Sequence, residues 1–195
     1  PTVSGNFEGI QDEERANEYL RSILEDDTIK FVACDTETSA LYPRDGYILG
    51  ISLSHKSKQG VYISTECVSE VTEGLLQDLF SSRLVVFHNA KFDLKWLEYH
   101  FNFKFPKVSD TMLMHYVLDE TQGSHGLKQL AMKYTDYGDY DKALDEFKTK
   151  YCKEHKILKG EFSYDLIPFD IMYPYAAIDT AVTYDLYQMF GKKIV

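Results

Sequence analysis

Two acidic residues stand two positions apart at the end of an apolar run near the start of the chain. Residues 31–34 have the composition and length of a buried strand and lead directly into Asp35-Thr36-Glu37. Residues i and i+2 of a strand point to the same face, so Asp35 and Glu37 direct two carboxylates to one place. Two like charges about 4 Å apart repel by roughly 4 kcal/mol at an effective dielectric constant near 20. A divalent cation would relieve that repulsion, so the pair indicates a metal site.

Two further pairs place a polar residue and an acid four positions apart. Asn89 and Asp93 begin a predicted helix after the apolar run 84–87, and Tyr175 and Asp179 lie on a late predicted helix. Residues four apart share one helical face. The N-terminal end of a helix also favours negative charge, which suits the first pair. Two small alanines separate Tyr175 from Asp179, and they would let that helix approach a sheet closely.

Each of these features alone has a purely structural interpretation. An Asp-x-Glu pair at a strand end is more often a surface or capping pair, and Asn89 could simply cap its helix. Tyr175 alone is typical of a half-buried core tyrosine, and Asp93 alone would usually be solvated. Inside the motifs, however, the four acids have only Lys91 as a basic neighbour. The motifs therefore contain too few basic residues to pair with the four acids in salt bridges, and the acids are better suited to binding a metal cation together.

In this order and spacing the three motifs resemble those of DEDD-type 3'-5' exonucleases of the tyrosine subclass. The closest resemblance is to the proofreading domain of family A DNA polymerases, and it spans about residues 31 to 190. The segment from Asp110 to Ala131 is also similar to the one between the second and third motifs of that family. The resemblance implies an α/β fold, with a ribonuclease-H-like mixed sheet that has antiparallel first strands and is flanked by helices.

The resemblance also implies a chemistry. It predicts two Mg²⁺ or Mn²⁺ ions, because oxygen ligands suit hard cations and two ions can stabilise the attacking and leaving oxygens of a phosphodiester. Asp35, Glu37 and Asp179 would hold the first ion. Asp35 would bridge to the second, which Asp93 would help to hold through water. Tyr175 and Glu37 would orient the attacking water.

The substrate contacts are predicted from the same resemblance. Leu41 matches the apolar residue that wedges against the terminal base, and Asn89 matches a polar contact to the substrate. Thr36 and His88, which adjoin the motifs, are further predicted substrate contacts. His125 falls where the family has a basic pair, but a serine precedes it in place of arginine. That departure argues against strong phosphate contacts from this loop.

Composition predicts one folded domain over residues 1–195. Hydrophobic residues make up 44% of the chain and aromatic residues 14%. This composition is enough to form a substantial core, and it argues against disorder. No stretch approaches the roughly 18 apolar residues of a membrane helix. The chain begins at Pro1 rather than Met, so we expect a fragment of a larger polymerase. Three scattered cysteines form no CxxC pair, which favours a reducing intracellular location, cytoplasmic or at an organellar or viral replication site.

The net charge narrows the class of substrate. A formal charge of -10 argues against a tight nonspecific grip on duplex DNA, which depends on basic residues. A single-stranded end can still be held by metals, stacking and a few polar contacts. The predicted partners are therefore a single-stranded or frayed DNA 3' end and the polymerase domain of the same parent chain, which would hold the duplex.

Periodicity predicts the elements that position these residues. An antiparallel meander is expected first, and beyond the fourth strand the chain is predicted to be mostly helical. The stretch 134–140 is predicted to be a loop. The predicted strands are 29–34, 47–54, 60–63 and 84–87, and the predicted helices are 12–24, 71–80, 90–101, 111–118, 127–134, 142–154 and 173–190.

The leading hypothesis is a 3'-5' exonuclease that releases nucleotides from DNA 3' ends and proofreads for a DNA polymerase. One alternative is an RNA-trimming exonuclease of the ribonuclease D kind, which shares these motifs and would be distinguished by its response to the 2'-hydroxyl. The other is a non-catalytic exonuclease-like interaction module. Such a module would be expected to have lost carboxylates, and this chain keeps all four.

Overall fold

A six-stranded mixed sheet forms the centre of the protein in this computed structural model, which describes residues 4–120 and 123–194. The strands lie in the order β1-β4-β3-β2-β5-β6. Strands β2, β3 and β4 form the predicted antiparallel meander, and β5, β6 and β1 add to it in parallel. The strands are β1 (Asn6–Ile10), β2 (Phe31–Thr38), β3 (Ile48–Ser54), β4 (Gln59–Ser64), β5 (Leu84–Phe87) and β6 (Val108–Asp110).

Helices cover both faces of the sheet, and polar side chains begin several of them. Asp12 accepts a hydrogen bond from the backbone of Arg15, and Ser69 accepts one from Thr72, which satisfies donors that have no partner in the helix itself. The helices are α1 (Glu13–Leu24), α2 (Glu70–Ser82), α3 (Ala90–Phe101), α4 (Thr111–Leu118), α5 (Leu127–Tyr134), α6 (Lys142–His155) and α7 (Phe169–Ile194).

Strand β2 contributes to both layers, because its side chains alternate between the two faces. Val32 and Cys34 pack into the core formed with α1, α2 and α3. Phe31, on the opposite face, stacks on Tyr184 of α7 with ring centroids 4.7 Å apart. The same alternation turns Asp35 and Glu37 toward α7 and Thr36 toward α3. The sheet thus divides the predicted site residues between its two faces.

Helix α7 lies unusually close to the sheet. A side chain at Gly60 of β4 would collide with the backbone carbonyl of Ala177, and one at Gly9 of β1 would collide with Tyr173. The alanines before Asp179 therefore allow the close approach that the sequence predicts. This contact brings the third motif onto the sheet beside β2.

Several boundaries differ from the sequence prediction. Strand β2 extends to Thr38, so the acidic pair lies within the strand. Strands β1 and β6 were not predicted, and α7 begins at Phe169 rather than at residue 173. Pro174 therefore lies inside the helix and not in its first turn. The earlier start follows from Pro168, whose carbonyl accepts the first backbone bonds of the helix.

No helix in the described ranges is long and apolar enough to cross a membrane.

Candidate metal centre

Three carboxylates from two elements converge where helix α7 packs against strand β2. Asp35 and Glu37 of β2 and Asp179 of α7 each offer an oxygen, and these atoms lie within 4.8 Å of one another. Glu37 is 7% exposed and Asp179 is 3% exposed, so two of the three acids are buried. Carboxylate oxygens at this spacing are the ligands that hard divalent cations prefer. The geometry therefore fits a cation held between β2 and α7.

Asp93 approaches the same region from the other face of the sheet. It is 2% exposed, and its Oδ1 accepts a 2.5 Å hydrogen bond from the hydroxyl of Thr36 and a 3.2 Å bond from the backbone N–H of Thr36. Asp93 stands apart from the group of three acids, but it lies close enough to Asp35 for its charge to raise the pKa of that residue. The four predicted acids therefore meet as a triad with a fourth carboxylate behind Asp35.

The electrostatics of the cluster support a cation site. Burial, followed by the charges of Asp93 and Glu37, raises the pKa of Asp35 well above its ordinary value. Burial and the charge of Asp179 do the same to the pKa of Glu37. Burial also raises the pKa of Asp93 to about 7, although its bonds from Thr36 act in the opposite direction. Carboxyl groups held so unfavourably as anions are stabilised when a cation binds them.

Two residues that the sequence analysis did not assign to the site hold Asp179. The Nζ atom of Lys128 in α5 lies 2.8 Å from Oδ1 of Asp179, and the hydroxyl of Tyr140 donates to the same oxygen at 2.5 Å. Burial disfavours the charged form of Lys128, but Asp179, Asp35 and Glu37 outweigh it and raise the pKa of the amine. In the sequence, Lys128 belongs to the family-like segment from Asp110 to Ala131, and Tyr140 ends the predicted loop 134–140. Neither pattern indicates a contact with Asp179.

Tyr175 lies one helical turn before Asp179 and is half-buried beside the cluster. Burial, followed by the charges of Asp179 and Glu37, raises the pKa of its phenol well above its ordinary value. The side chain therefore stays protonated and can donate a hydrogen bond. This is the chemical form that orientation of a water molecule requires.

The acids open onto a cleft of about 670 Å³. Leu41 stands at its rim and is 75% exposed, which suits the predicted contact with a base. The opposite wall is formed by residues 160–164, which the sequence analysis did not predict as part of the site. Ser163 fastens this wall to the β2–β3 connection, because its hydroxyl donates to the carbonyl of Ser39 at 3.0 Å.

Two further predicted substrate contacts, Asn89 and His88, flank the start of α3. Asn89 is the N-cap residue of α3, but it is exposed, adopts a left-handed φ of 70° and makes no side-chain capping bond. Its backbone N–H instead donates to Oδ1 of Asp110. The ring nitrogens of His88 lie 2.8 Å from the hydroxyl of Thr111 and 2.7 Å from the carbonyl of His125. Contact of His88 with DNA stays a prediction, and a hydrogen bond from either ring nitrogen to DNA would compete with one of these bonds.

Thr36, a predicted substrate contact, faces inward, and so does His125. The hydroxyl of Thr36 is committed to Asp93, so its predicted role toward DNA stays a prediction and its observed role is to support a carboxylate. The ring of His125 lies 2.7 Å from that of His115, measured between the Nδ1 atoms, and its Nε2 is buried. The loop after α4 therefore directs this histidine into the protein, in line with the departure seen in the sequence.

The chain matches a known family of protein domains over most of its length. The model of the 3'-5' exonuclease domain of family A DNA polymerases matches residues 7–195. The DNA polymerase of Escherichia phage T5 is 53% identical over 199 residues, which cover 98% of this chain and 23% of that protein. DNA polymerase I of Borreliella burgdorferi is 28% identical over 85% of this chain and 18% of that protein. The chain thus spans about a fifth of the length of these relatives.

Solved structures share the fold at low sequence identity. The catalytic core of RRP6 from Trypanosoma brucei has a TM-score of 0.68 at 19% identity, over 97% of this chain and 48% of that one. RNase D of Escherichia coli has a TM-score of 0.67 at 14% identity, over 95% of this chain and 44% of that one. At these identities the likeness confirms the ribonuclease-H-like α/β fold and says nothing further about substrate.

Proposed function

The chain belongs to the 3'-5' exonuclease domains of family A DNA polymerases, and on that premise we propose that it removes nucleotides from DNA 3' ends. The observation that carries the proposal is the meeting of Asp35, Glu37 and Asp179 within 4.8 Å, at the bottom of an open cleft. Two relatives are whole DNA polymerases of which this chain matches only a part. A polymerase portion in the same parent chain would supply frayed 3' ends, and removal of a mispaired nucleotide would be proofreading.

The residues divide the chemistry between them. Asp35, Glu37 and Asp179 would hold one divalent cation, Mg²⁺ or Mn²⁺, and Asp35 with Asp93 would hold a second. Such ions, when bound, stabilise the attacking and leaving oxygens of an in-line displacement at phosphorus. The protonated hydroxyl of Tyr175 and the carboxylate of Glu37 would orient the attacking water. Leu41, at the rim, would pack against the terminal base.

The cleft also suits a strand end better than a duplex. Its lining includes the connection around Leu41, the short segment 160–164 and the side chains of Phe92 and Tyr175. With a formal charge of -10, the chain lacks the excess of basic residues that duplex DNA binding requires. A short single strand, held at its end by metals and by packing against apolar side chains, needs far fewer cationic contacts.

The test is a digestion assay with end-labelled oligonucleotides. We expect a single-stranded DNA to be shortened from its 3' end in Mg²⁺ or Mn²⁺, and EDTA or a blocked 3' end to prevent it. Tyr175→Phe should slow turnover while it leaves Mn²⁺ binding largely intact, because only the water-orienting hydroxyl is removed. No shortening by the wild-type chain at high enzyme and metal concentrations would overturn the proposal.

A matched RNA oligonucleotide tests the ribonuclease alternative. The two substrates differ in the 2'-hydroxyl, and the family match predicts faster digestion of the DNA. Preferential digestion of the RNA would replace the proposed function with RNA trimming. Metal-independent DNA binding without digestion would favour the interaction module instead.

A further inference from the structure

Asp179 receives its side-chain hydrogen bonds on one oxygen. Lys128 and Tyr140 both donate to Oδ1, at 2.8 and 2.5 Å. Across residues 4–120 and 123–194, no side chain donates to Oδ2. Two donors on one oxygen fix the rotation of a carboxylate and leave its other oxygen available as a ligand. The arrangement suits a carboxylate that binds a metal through a single oxygen.

The two donors come from rigidly held parts of the protein. Lys128 lies on α5, and Tyr140 lies on the loop between α5 and α6. That loop is anchored by Tyr137, which is 2% exposed. The hydroxyl of Tyr137 donates to Asp185 at 2.8 Å and accepts from the backbone N–H of Lys58 at 3.1 Å. The loop that carries Tyr140 is therefore held in place, so the hydroxyl of Tyr140 is positioned on Asp179 before any ligand binds.

Lys128 also contacts the predicted water-orienting residue. Its Nζ atom lies 4.6 Å from the ring centroid of Tyr175, within the range of a cation–π interaction. The ring of Tyr140 lies 6.1 Å from that of Tyr175. One ammonium group thus touches both functional residues of the third motif, Tyr175 and Asp179.

We propose that Lys128 and Tyr140 are positioning residues of this site. They hold Asp179 by Oδ1, so that Oδ2 faces the cation, and Lys128 also fixes the ring of Tyr175. This inference rests on the proposed exonuclease function and deepens it. The two residues differ in charge, and an experiment can separate them by this difference. Lys128 adds a positive charge beside the cation site, whereas Tyr140 is neutral.

The experiment measures Mn²⁺ affinity by titration calorimetry and, separately, turnover of a single-stranded DNA oligonucleotide at saturating Mn²⁺. Tyr140→Phe removes a hydrogen bond without a change of charge, so we expect Mn²⁺ to bind three- to tenfold more weakly and turnover to fall. Lys128→Met removes a charge that repels the cation. We expect Mn²⁺ to bind at least threefold more tightly, although turnover falls at least tenfold. Lys128→Arg keeps the charge and should recover part of the turnover.

Matched controls lie on the same chain. Lys133→Met changes an exposed lysine on the same helix as Lys128, and Tyr99→Phe changes an exposed tyrosine on α3. Circular dichroism establishes that each variant is folded, and the conservative changes Tyr140→Phe and Lys128→Arg keep the test valid if Lys128→Met does not fold.

Two results would overturn the positioning roles. One is an active wild type whose Tyr140 and Lys128 variants match the control variants in both measurements. The other is a Lys128→Met variant that binds Mn²⁺ more weakly and regains full turnover when metal is saturating. In that case Lys128 would contribute to metal affinity and not to the positioning of Asp179 and Tyr175 for turnover. A wild-type chain that digests no DNA would overturn the proposed function and this inference with it.

Discussion

The hydroxyl of Thr36 lies 2.5 Å from Oδ1 of Asp93, and this bond ties strand β2 to helix α3 beneath the acidic cluster. Thr36 stands between Asp35 and Glu37 in the sequence, so strand alternation turns it to the opposite face. Its backbone N–H also lies 2.9 Å from Oδ1 of Asp35 and 3.2 Å from Oδ1 of Asp93. One residue therefore orients carboxylates on both sides of the sheet.

Thr36→Val tests this support. The change keeps the shape of the side chain but removes the donor to a buried carboxyl group, which costs roughly 1.5–3 kcal/mol for a bond to a charged partner. We expect chemical denaturation to show a free energy of unfolding lower by about that amount, and calorimetry to show weaker Mn²⁺ binding. Thr149→Val, at an exposed position of α6, is the control. Equal stability and equal Mn²⁺ affinity in both variants would remove the supporting role.

The contribution of the acidic cluster to the stability of the metal-free chain should fall as pH rises. Burial raises the pKa of Asp93 from an ordinary 3.8 to about 7 and raises the pKa values of Asp35 and Glu37 as well. Between pH 4 and 7 these three groups therefore bind more protons in the folded chain than in the unfolded chain, so their contribution to the free energy of unfolding decreases across this window. Below it, the contribution of these groups is fully present. Three histidines whose pKa values burial lowers act in the opposite direction, namely His55, His88 and His115.

Mn²⁺ should reverse that trend, because it competes with protons for the same oxygens. Thermal unfolding in EDTA and in saturating Mn²⁺, measured from pH 4.5 to 8, gives the comparison. We expect the stabilisation by Mn²⁺ to increase with pH. A stabilisation by Mn²⁺ that stays the same from pH 4.5 to 8 would contradict the electrostatic account of the cluster.

Gly50 supports Glu37 from the neighbouring strand. It pairs with Glu37 in the β2–β3 register, and a Cβ atom at Gly50 would collide with the ring of Tyr62. Gly50→Ala should therefore displace Tyr62 and cost about 1–3 kcal/mol, the usual effect of overpacking, and the rate of DNA digestion should fall with it. Denaturation and the digestion assay measure the two effects.

Gly74→Ala is a matched control, because it makes the same change at a glycine with no close neighbours. Gly74 lies within α2 with open space around the position of its Cβ, so alanine should stabilise the chain by about 0.5–1 kcal/mol and leave digestion unchanged. If Gly50→Ala behaved as Gly74→Ala does, close packing beside Glu37 would have no part in the site.

Short-range patterns in the sequence predicted most of the elements around the site. Strand alternation placed Asp35 and Glu37 on one face, and helical spacing placed Tyr175 one turn from Asp179. The meander and most of the predicted helices are confirmed. The missed strands, β1 and β6, are edge strands of five and three residues. Strands this short at an edge carry too little periodicity to be recognised locally.

The contacts that complete the site were beyond local patterns. Lys128 and Tyr140 meet Asp179 across 51 and 39 residues of sequence. Nothing within one turn of either residue indicates that contact, because it depends on how α5 and the following loop pack against α7. The wall at residues 160–164 was missed for the same reason. The excess of acid over base in the motifs predicted a divalent metal ion, but it did not predict the ammonium group of Lys128 beside Asp179.

The central claim is that the acidic cluster binds the cation that digestion of DNA requires, and Asp35→Asn tests it most directly. The amide has nearly the same shape but carries no charge, so it relieves repulsion from Glu37 and Asp93. We expect the metal-free variant to unfold at the same temperature as the wild type or a higher one. In Mg²⁺ its rate of 3'-end digestion should fall by more than about a hundredfold. Loss of a residue that only supports a metal ligand lowers activity by up to about a hundredfold, so a larger decrease indicates that Asp35 is itself a ligand. A variant that digests DNA at the wild-type rate in the same Mg²⁺ concentration would contradict the account.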